Sequence, residues 1–285
     1  MENLLDMKST ASLLANPQAW QLVCNALPIE ATAVDDPIYA QWASQHLDQH
    51  THPEILFCLD GETCEHFNGC NYLCRPGTLF FFDAGDSHAL GYPLDGRSFV
   101  HIWLRLLTND IIAHTFTRHG HLTSEACGAP LVLAGSERDH LQHHWQLASK
   151  PPLRFSLPLR RATLLSALHV AIMHIFSNWL SPSTPALSLR HQSVVSALQR
   201  HIETHLADDC NLDSLARLSG YSKFHFCRIF KEYSGETVLS FINRCRINHA
   251  RKMTANGALQ KEIAAALGFA SPTAFSNWRT KNLPS

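Results

Sequence analysis

The sequence lacks any segment that predicts transport to or across a membrane. No apolar signal-peptide core follows Met1, and no apolar run is long enough to span a bilayer. Its nine cysteines lack the paired spacing that is typical of zinc sites. Four of them, Cys58, Cys64, Cys70 and Cys74, are spread along predicted strands, where buried free thiols act as small apolar residues. These absences predict a cytoplasmic protein with no membrane partner.

The chain has almost no net charge, but its two signs are unevenly distributed. The formal net charge is −1 at pH 7 for 285 residues, a length that predicts two domains. From Arg190 onward there are 13 Lys and Arg against 7 Asp and Glu, whereas the preceding 189 residues hold 10 against 17. A basic part with a net charge of +6 beside an acidic part with −7 is expected when only one part contacts nucleic-acid phosphates.

The basic part contains two short predicted helices joined by a tight turn. Asn211 or Asp213 is expected to cap the first helix, and Gly220 is expected to end it in a left-handed conformation. Ser222 is expected to cap the second helix, which turns an apolar side inward. Such a pair is either an ordinary helical hairpin or a helix-turn-helix that reads the DNA major groove. The outward side of the second helix carries Lys223, His225, Cys227, Arg228 and Lys231.

A second copy of this pattern lies downstream and favours the DNA-binding interpretation. A short apolar helix is ended by Gly268, and Ser271 then precedes a new helix. Pro272 stands at the first helical position, where its missing N–H group is tolerated. An amphipathic helix is predicted between the two copies, from Val238 to Met253.

Residues 190–285 resemble the C-terminal DNA-binding domain of the AraC/XylS family of transcription regulators. The matching motifs are Gly-Tyr-Ser-x-x-x-Phe-x-Arg-x-Phe-Lys-x-x-x-Gly (Gly220 to Gly235), Arg246-x-x-x-Ala250, Ile263-Ala264-x-x-x-Gly-Phe (to Phe269) and Phe275-Ser276. The resemblance implies two helix-turn-helix units on a long connecting helix, with both recognition helices facing one side of double-stranded DNA. It also implies RNA polymerase as a partner if the protein is an activator.

The resemblance assigns DNA contacts to both recognition helices. In the first it implies base contacts by Phe224, Cys227 and Arg228, with Arg228 suited to guanine and Phe224 to a thymine methyl group. The expected contacts of the second helix are Ser271, Pro272, Thr273, Ala274, Asn277 and Arg279. Beyond Phe275 the sequence departs from the family pattern, because Trp278-Arg279 comes one residue early and Asn282-Leu283-Pro284-Ser285 replaces the usual ending. The second helix-turn-helix is therefore expected to contribute phosphate contacts more than sequence readout.

The acidic part begins with a predicted arm, residues 1–18, followed by short apolar runs over residues 19–107. Turn dipeptides such as Asp60-Gly61 and Asn68-Gly69 separate these runs, which indicates an antiparallel sandwich or barrel. The pattern resembles the cupin jelly-roll barrel, which carries effectors in many members of the same family. The predicted fold class is a multidomain chain: a cupin-like β-barrel, then helices, then an all-α domain with two helix-turn-helix motifs.

The cupin resemblance places His50, His52 and His88 at the positions of metal ligands. Two His at i and i+2 on a strand point to the same side, and Glu54 continues that parity. Three interpretations remain open: a divalent-metal site, polar groups in an organic effector pocket, or a structural remnant. The predicted effector contacts are His50, His52, Glu54, Phe80, His88 and Trp103.

Residues 108–180 are predicted to be helical, with helices over Ile111 to Arg118, Ser136 to Ala148 and Arg160 to Leu180. Asn109 or Asp110 is expected to cap the first of these helices. The last one carries an apolar stripe, and homodimerisation through Leu168 and Ile172 is the working hypothesis for it. Residues 181–189, rich in Ser and Pro, are predicted to form an interdomain linker.

Together these patterns predict a transcription regulator that binds DNA in response to a small-molecule effector. The alternative is a metal-dependent cupin enzyme or metal sensor fused to a DNA-binding domain. No catalytic acid or base stands out at fixed spacing, so the chain is predicted not to be an enzyme and to require no cofactor.

Overall fold

The computed structural model describes residues 7–89, 92–93, 96–118, 130–133, 135–152, 154–180, 187–207 and 210–282. The chain divides into two compact units, one up to Arg190 and one from His191 onward. Of the predicted linker, residues 181–186 lie outside the described residues. Residues 187–189 are not extended linker, because they form the first turn of helix α5 (Leu187–Thr204).

The first unit contains two β-sheets. Its strands are β1 (Gln21–Val23), β2 (Leu47–Asp48), β3 (Glu54–Gly61), β4 (Thr63–Phe67), β5 (Cys70–Cys74), β6 (Thr78–Phe82), β7 (His88–Ala89), β8 (Phe99–Leu106), β9 (Ile111–Arg118) and β10 (Leu131–Leu133). One sheet has the order β1-β6-β3-β8-β9-β10 and the other the order β2-β7-β4-β5. Within the described strands no ladder joins the two sheets, so the predicted closed barrel is not confirmed.

The side chains of β3 alternate between two different environments. Ile55, Phe57 and Leu59 join a core shared with the helices of this unit. Leu56 and Cys58 join a second core, which also contains Phe67 and Cys74 of the four-stranded sheet. Because successive residues of a strand point to opposite faces, the six-stranded sheet packs helices on one face and the smaller sheet on the other.

Helix α1 (Met7–Ala15) shows that the predicted N-terminal arm is in part a packed helix. Leu14 is buried in the helix-side core, and its carbonyl oxygen is 2.9 Å from Nε2 of His169. The indole of Trp20 donates to the carbonyl of Leu13 at 3.0 Å. These contacts fix the segment to the rest of the unit, whereas residues 1–6 lie outside the described residues.

The predicted helix from Ile111 to Arg118 is wrong, because these residues form strand β9. β9 pairs with β8 over all eight residues, from Leu106 opposite Ile111 to Phe99 opposite Arg118. Both faces of this strand are covered, so its apolar run lacks the alternation that identifies a half-exposed strand. Asp110 belongs to the β8–β9 turn, where its carbonyl accepts from the N–H of Leu107 at 2.8 Å.

The remaining helices of the first unit are α2 (Pro37–Ser44), α3 (Gly135–Ser149) and α4 (Leu157–Leu180). The predicted helices at 136–148 and 160–180 are confirmed. The apolar stripe of α4 packs on the six-stranded sheet, with Leu168 1% exposed and Ile172 0% exposed. The choice of these two side chains as a dimer surface is therefore wrong, since they already contact their own subunit.

Within the described residues, one segment of α4 is long and apolar enough to cross a membrane, contrary to the sequence prediction. This segment, Leu157–Trp179, has a mean hydropathy of 1.2, and 44% of its most apolar window is buried inside the unit. A core helix of a soluble protein meets the same criterion. Its buried stripe, including Leu164 and Ile175, shows that α4 acts here as a core helix.

The second unit consists of helices. After α5 these are α6 (Leu212–Ser219), α7 (Lys223–Ser234), α8 (Val238–Ala255), α9 (Gln260–Ala266) and α10 (Pro272–Asn282). The turn after α9 depends on Gly268, which has a φ of +71°. A Cβ atom at that position would lie 2.8 Å from the carbonyl oxygen of Leu206 and 3.0 Å from that of Ala207. This turn therefore requires glycine both for its backbone angle and for its close approach to another backbone segment.

We predict that Gly268→Ala destabilises the second unit more than Gly257→Ala. Both glycines have positive φ, but nothing lies within 4 Å of a Cβ built at Gly257. Gly257→Ala should cost about 1–2 kcal/mol from backbone conformation alone. Gly268→Ala should cost about 1–3 kcal/mol more from the clash. Calorimetric unfolding of the two full-length variants measures the difference, and equal melting temperatures would show that the close approach carries no energy.

Candidate nucleic-acid interface and buried polar cluster

Helices α6 and α7 form the predicted helix-turn-helix, and their ends are capped as the sequence indicates. Asn211 caps α6 by accepting from the N–H of Ser214, and Gly220 ends that helix with a φ of +71°. Ser222 then caps α7 by accepting from the N–H of His225. The two helices pack through their apolar sides, and the large buried residues there are Leu215, Phe226, Ile229 and Phe230. The predicted start and stop signals are confirmed, and they leave the opposite side of α7 exposed.

The exposed side of α7 combines cations with one large apolar group. Lys223, Phe224, Arg228 and Lys231 are all exposed, and Cys227 is half-buried. Phe224 is 85% exposed, the highest value among the large apolar residues described as exposed. Lys223 Nζ lies 2.8 Å from Asp213, and Arg228 lies 3.4 Å from Glu232. Exposed pairs of this kind contribute little energy, so both cations can exchange these partners for phosphate or base acceptors. We call Lys223, Phe224, Arg228 and Lys231 the α7 surface.

His225 does not belong to the α7 surface. Its ring lies 4.8 Å from that of Tyr221 and 5.5 Å from that of His191 on α5. Burial, followed by the charges of His225 and Arg228, lowers the pKa of His191 below its usual value. The predicted DNA contact of His225 thus falls on a side chain that packs α7 against α5. No local pattern in the sequence points to His191, because its ring partners Tyr221, His225 and Tyr233 lie outside its own helix.

Helices α9 and α10 form the second helix-turn-helix. Ser271 caps α10 by accepting from the N–H of Ala274 at 3.1 Å, and Pro272 is the first helical residue, as predicted. Phe275 is buried, while Thr273, Asn277 and Arg279 are exposed. Ser271 and Ala274 are half-buried. The predicted contacts therefore share one helix, but only part of the set is freely accessible.

Trp278 locks α10 onto the connecting helix α8. Its indole donates to Oδ1 of Asn243 at 2.6 Å, and Nδ2 of Asn243 donates to Oδ1 of Asn282 at 2.8 Å. The ring of Trp278 also lies 5.3 Å from that of Phe269. This anchoring explains why Trp278 comes one residue early in the sequence pattern, since it holds the second helix-turn-helix on α8 by hydrogen bonds as well as by packing. Residues 283–285, where the sequence also departs from the family pattern, lie outside the described residues.

Helix α8 sets the separation of the two helix-turn-helix units. It has 18 residues and is therefore about 27 Å long, somewhat less than the roughly 34 Å of one DNA turn. Near the middle of α8, Arg246 donates to the carbonyl of Leu267 at 3.1 Å and covers the ring of Phe269 at 5.0 Å. A spacer of this length can present recognition helices to successive major-groove segments.

A second candidate site lies in the first unit, where the predicted histidines surround a buried carboxylate. Glu54 is 4% exposed, and its Oε1 lies 3.2 Å from Nε2 of His52. Its Oε2 lies 3.6 Å from Nε2 of His88 and 3.8 Å from Nε2 of His50. All three predicted metal ligands and the predicted carboxylate thus come together, but the prediction that His50 and His52 lie on a strand is wrong. They belong to the loop between β2 and β3, whereas Glu54 begins β3 and His88 begins β7. We call these four residues and Arg105 the Glu54 cluster.

Arg105 is the member of the Glu54 cluster that sequence reasoning missed. It stands opposite Glu54 in the β3–β8 register, and its Nε donates to Oε1 of Glu54 at 3.0 Å. Its terminal nitrogen also lies 2.9 Å from the ring of His114 on β9. Only the strand register brings these side chains together, so spacing along the chain could not identify them.

Arg105 decides the charge of the cluster. Burial alone raises the pKa of Glu54, but Arg105 and then the hydrogen bonds from His52 and His88 bring it well below its usual value. Burial lowers the pKa of His50, and burial followed by Arg105 lowers that of His114. The carboxylate is therefore ionised and balanced by a protein cation, and the lowered pKa values favour the neutral form of His50 and of His114. The carboxylate that the sequence predicts as an effector contact, Glu54, is present, but Arg105 already neutralises its charge.

The two predicted effector-contacting aromatics lie deeper between the sheets. Phe80 is fully buried and stacks on Phe82 with ring centroids 5.7 Å apart. Trp103 is 7% exposed, and its indole donates to the Tyr92 hydroxyl at 2.9 Å. Both side chains contribute to the core between the sheets, next to the Glu54 cluster.

Comparisons with known proteins point to the second unit. Residues 215–283 match a family described as a helix-turn-helix domain. The HTH-type transcriptional regulator GlxA of Rhizobium meliloti (strain 1021) is 31% identical over 111 residues, 39% of this chain and 34% of that protein. The probable transcription factor PqrA of Proteus vulgaris is 32% identical over 88 residues, 30% of this chain and 72% of that protein. The chain thus spans about a third of the length of GlxA but most of PqrA.

One relative extends the similarity into the first unit. The uncharacterized HTH-type transcriptional regulator YbfI of Bacillus subtilis (strain 168) is 26% identical over 206 residues, 70% of this chain and 69% of that protein. Among solved structures, apo ToxT of Vibrio cholerae matches 84% of this chain and 89% of its own, at 10% identity and a TM-score of 0.26. A TM-score this low supports no statement about the fold.

We predict that Arg105→Met destabilises the protein by about 3–5 kcal/mol, because it leaves the buried Glu54 carboxylate without its cation. The double variant Glu54→Gln/Arg105→Met should recover part of that loss. The free energy of unfolding from denaturant titration gives the coupling in a double-mutant cycle. Arg228→Met, in an exposed pair, should cost less than about 1 kcal/mol and serves as the control.

The same pair predicts a pH dependence. Because the pKa of Glu54 is depressed in the folded state, its stabilising contribution is present above the unfolded carboxyl pKa of about 4.3. It is lost as the pH falls through the folded pKa. Wild-type protein should therefore lose more stability below pH ~4 than the double variant. Parallel pH profiles would contradict the assignment of an ionised Glu54.

Proposed function

The chain belongs to the AraC/XylS family of transcription regulators, and on that premise we propose that it binds double-stranded DNA through the α7 surface, with α10 as the second contact. The family relationship rests on the helix-turn-helix match over residues 215–283 and on the similarity to PqrA. The single observation that carries the proposal is the α7 surface itself. It places cations and an 85% exposed Phe224 on the outer side of a capped recognition helix.

The chemistry of the α7 surface matches a DNA groove. Phe224 lies in the first turn of the helix, where recognition helices contact base edges, and its apolar ring suits a thymine methyl group. Arg228 lies one turn further on, and its planar fork suits the O6 and N7 acceptors of guanine. Lys223 and Lys231, at either end of the row, suit phosphate contacts. Sequence readout and positioning are thus divided between the centre and the ends of one helix.

We propose that α10 contributes mainly orientation. Its exposed side chains include two cations near its C-terminal end, Arg279 and Lys281, and the small polar side chains of Thr273 and Asn277. None of these offers the combination of a large apolar ring and a guanidinium that α7 presents. The hydrogen bonds from Trp278 and Asn243 fix α10 on α8, so its phosphate contacts would set the register of the whole unit.

We predict that Arg228→Ala weakens binding to a duplex selected by the wild-type protein by roughly 5- to 150-fold, which corresponds to about 1–3 kcal/mol. The loss should be accompanied by a relaxed preference at one base position. Phe224→Ala should weaken binding in the same direction, with its loss confined to sites that contain a thymine at the contacted position. Fluorescence anisotropy with wild-type and single-base-changed duplexes measures both effects.

Two variants of α8 serve as matched controls for these losses. Arg251→Ala removes an exposed charge of the same type, and Leu239→Ala removes a 63% exposed apolar side chain. Both lie outside the α7 surface. If the control variants lost as much affinity as the α7 variants, the effect would be general and the proposed interface would be wrong.

We further propose that the first unit binds an organic effector at the Glu54 cluster. The support is chemical: the imidazole rings of the cluster can donate or accept hydrogen bonds, burial lowers the pKa of His50, and the ring of Phe82 stacks on that of His88. Arg105 already balances the Glu54 charge, so a divalent ion would be placed beside a fixed guanidinium. This repulsion favours the organic interpretation over the metal interpretation. Effector binding would then shift how the DNA-binding units engage paired sites.

The alternative function is a metal sensor or metal-dependent cupin enzyme. The observation in its favour is that ligand atoms of His50, His52 and Glu54 lie within 4.8 Å of one another. The structure contains these residues in a suitable arrangement, but the alternative requires the metal to displace or tolerate Arg105. The two functions therefore differ in what the cluster should bind.

We predict that a thermal-shift screen of sugars, aromatics and amines raises the melting temperature of wild-type protein with at least one organic compound. His52→Asn should abolish that response, whereas His143→Asn, an exposed residue of α3, should retain it. A ligand present at 100 times its Kd would add about 2.7 kcal/mol of stability. If the purified wild-type protein instead contains one equivalent of iron, manganese or zinc, and His52→Asn loses this metal while His143→Asn retains it, the result would support the alternative.

Three further expectations accompany this proposal. Regulation of transcription places the protein in the cytoplasm and, if it activates, in contact with RNA polymerase. A homodimer would align two DNA-binding units with paired sites. With Leu168 and Ile172 buried, the large apolar side chains that α4 leaves exposed for a dimer to cover are Leu157, Leu159, Val170 and Met173.

A further inference from the structure

Three side chains that the proposed function does not use meet between the two sheets of the first unit. Cys58 on β3 and His101 on β8 are direct neighbours in the six-stranded sheet. Cys74 approaches them from the end of β5 in the four-stranded sheet. All three are 0% exposed. Each offers a ligand atom, and these atoms lie within 4.8 Å of one another.

The His101 ring is held by a second set of hydrogen bonds. Its Nδ1 lies 2.7 Å from the hydroxyl of Tyr92, which also accepts from the indole of Trp103 at 2.9 Å. In the tautomer protonated on Nδ1, the ring donates to Tyr92 and presents the lone pair of Nε2 to the sulfur atoms. Nε2 lies 3.8 Å from Sγ of Cys74. Metal-binding histidines characteristically donate their other ring N–H to an acceptor that fixes their orientation.

The distances fit a small tetrahedral ion. Zinc–sulfur bonds of about 2.3 Å and zinc–nitrogen bonds of about 2.0–2.1 Å separate the ligand atoms of one site by roughly 3.5–3.8 Å. The Cys74–His101 separation already has this value, and the remaining pairs need to close by at most about 1 Å. Two sulfurs and one imidazole nitrogen select zinc or cuprous copper over magnesium or calcium.

Charge balance decides between these two ions. Two thiolates and Zn²⁺ sum to zero, whereas two thiolates and Cu⁺ leave one negative charge in a fully buried place, which is costly. Glu65 on β4 is a buried carboxyl group whose charge, if it were ionised, would also enter this balance. Its Oε2 has no hydrogen-bond partner within the described residues. Burial, followed by the charge of Cys74, raises the pKa of Glu65 well above its usual value.

We propose that Cys58, Cys74 and His101 form a buried zinc site that joins the two sheets of the first unit. On binding, two Zn–S bonds and one Zn–N bond form, the hydrated zinc ion gives up water ligands, the two S–H protons leave to solvent, and nothing is oxidised or reduced. The bound ion would connect β3 and β8 of one sheet to β5 of the other.

This site is separate from the Glu54 cluster. Glu54 and Cys58 lie on the same strand and the same face, four residues apart, which corresponds to about 13 Å along β3. No residue is shared between the two sets. The zinc site is therefore tested independently of the proposed effector site and of DNA binding.

The experiment is a zinc titration of reduced, metal-free, full-length protein without a polyhistidine tag, in competition with a chromophoric chelator. The expected result is one tightly bound equivalent in wild-type protein. Cys58→Ser and Cys74→Ser should each weaken that binding at least 100-fold. Cys64→Ser should leave it unchanged, because Cys64 is also buried but belongs to a different core cluster from the one that contains Cys58 and Cys74. Binding retained in the Cys58→Ser/Cys74→Ser double variant, or lost in His50→Asn/His52→Asn instead, would overturn the proposal.

A second measurement guards against misfolded variants. With wild-type protein alone, cobalt should replace zinc and give the intense near-ultraviolet absorption of cobalt–thiolate bonds, and zinc should protect two cysteines from alkylation. A parallel titration with Cu⁺ under a copper-specific chelator tests the choice of ion. If Cu⁺ binds at these cysteines and zinc does not compete, the zinc assignment is wrong; if neither ion protects any cysteine, the site does not exist.

Discussion

The turn at Gly220 is the constraint on which the DNA-facing part of the molecule depends. Its φ of +71° ends α6 and redirects the chain within two residues to Ser222, which caps α7. Only this abrupt change of direction allows Phe226, Ile229 and Phe230 to pack on α6 while Phe224 and Arg228 face outward. A residue with a Cβ atom would resist that backbone angle, and the α7 surface would lose its orientation relative to its own core.

The first unit depends in a similar way on the alternation of side chains along β3 and β8. The side chains on one face of these strands, such as Phe57 and Ile102, supply the core that α4 covers. The other face carries Glu54 and Cys58 into the space between the sheets, with Arg105 and His101 opposite them. A single pair of neighbouring strands thus builds both the charged cluster and the thiol–imidazole set. Their separation along the strand keeps the two chemistries apart.

Local signals in the sequence predicted the second unit well, because its helices begin and end at residues that act on their immediate neighbours. Asn211, Ser222 and Ser271 each cap a helix through an N–H only three residues away. The first unit was less predictable. Strand β9 is covered on both faces and therefore shows no alternation, and Arg105 joins Glu54 only through strand register. The prediction that Leu168 lies on a surface is wrong, and His225 has a ring contact with α5 that was not predicted, since a helical pattern does not show which side meets another element.

The most direct test of the central claim is the salt dependence of equilibrium binding to a duplex selected by the full-length protein, between about 50 and 200 mM salt. If the α7 surface contacts DNA phosphates, the logarithm of the binding constant should fall linearly with the logarithm of salt concentration, with a slope of about −0.9 for each phosphate contact. Lys231→Ala should make that slope shallower by about one unit. Binding that does not respond to salt, or a slope that Lys231→Ala leaves unchanged, would contradict the placement of the α7 surface against DNA.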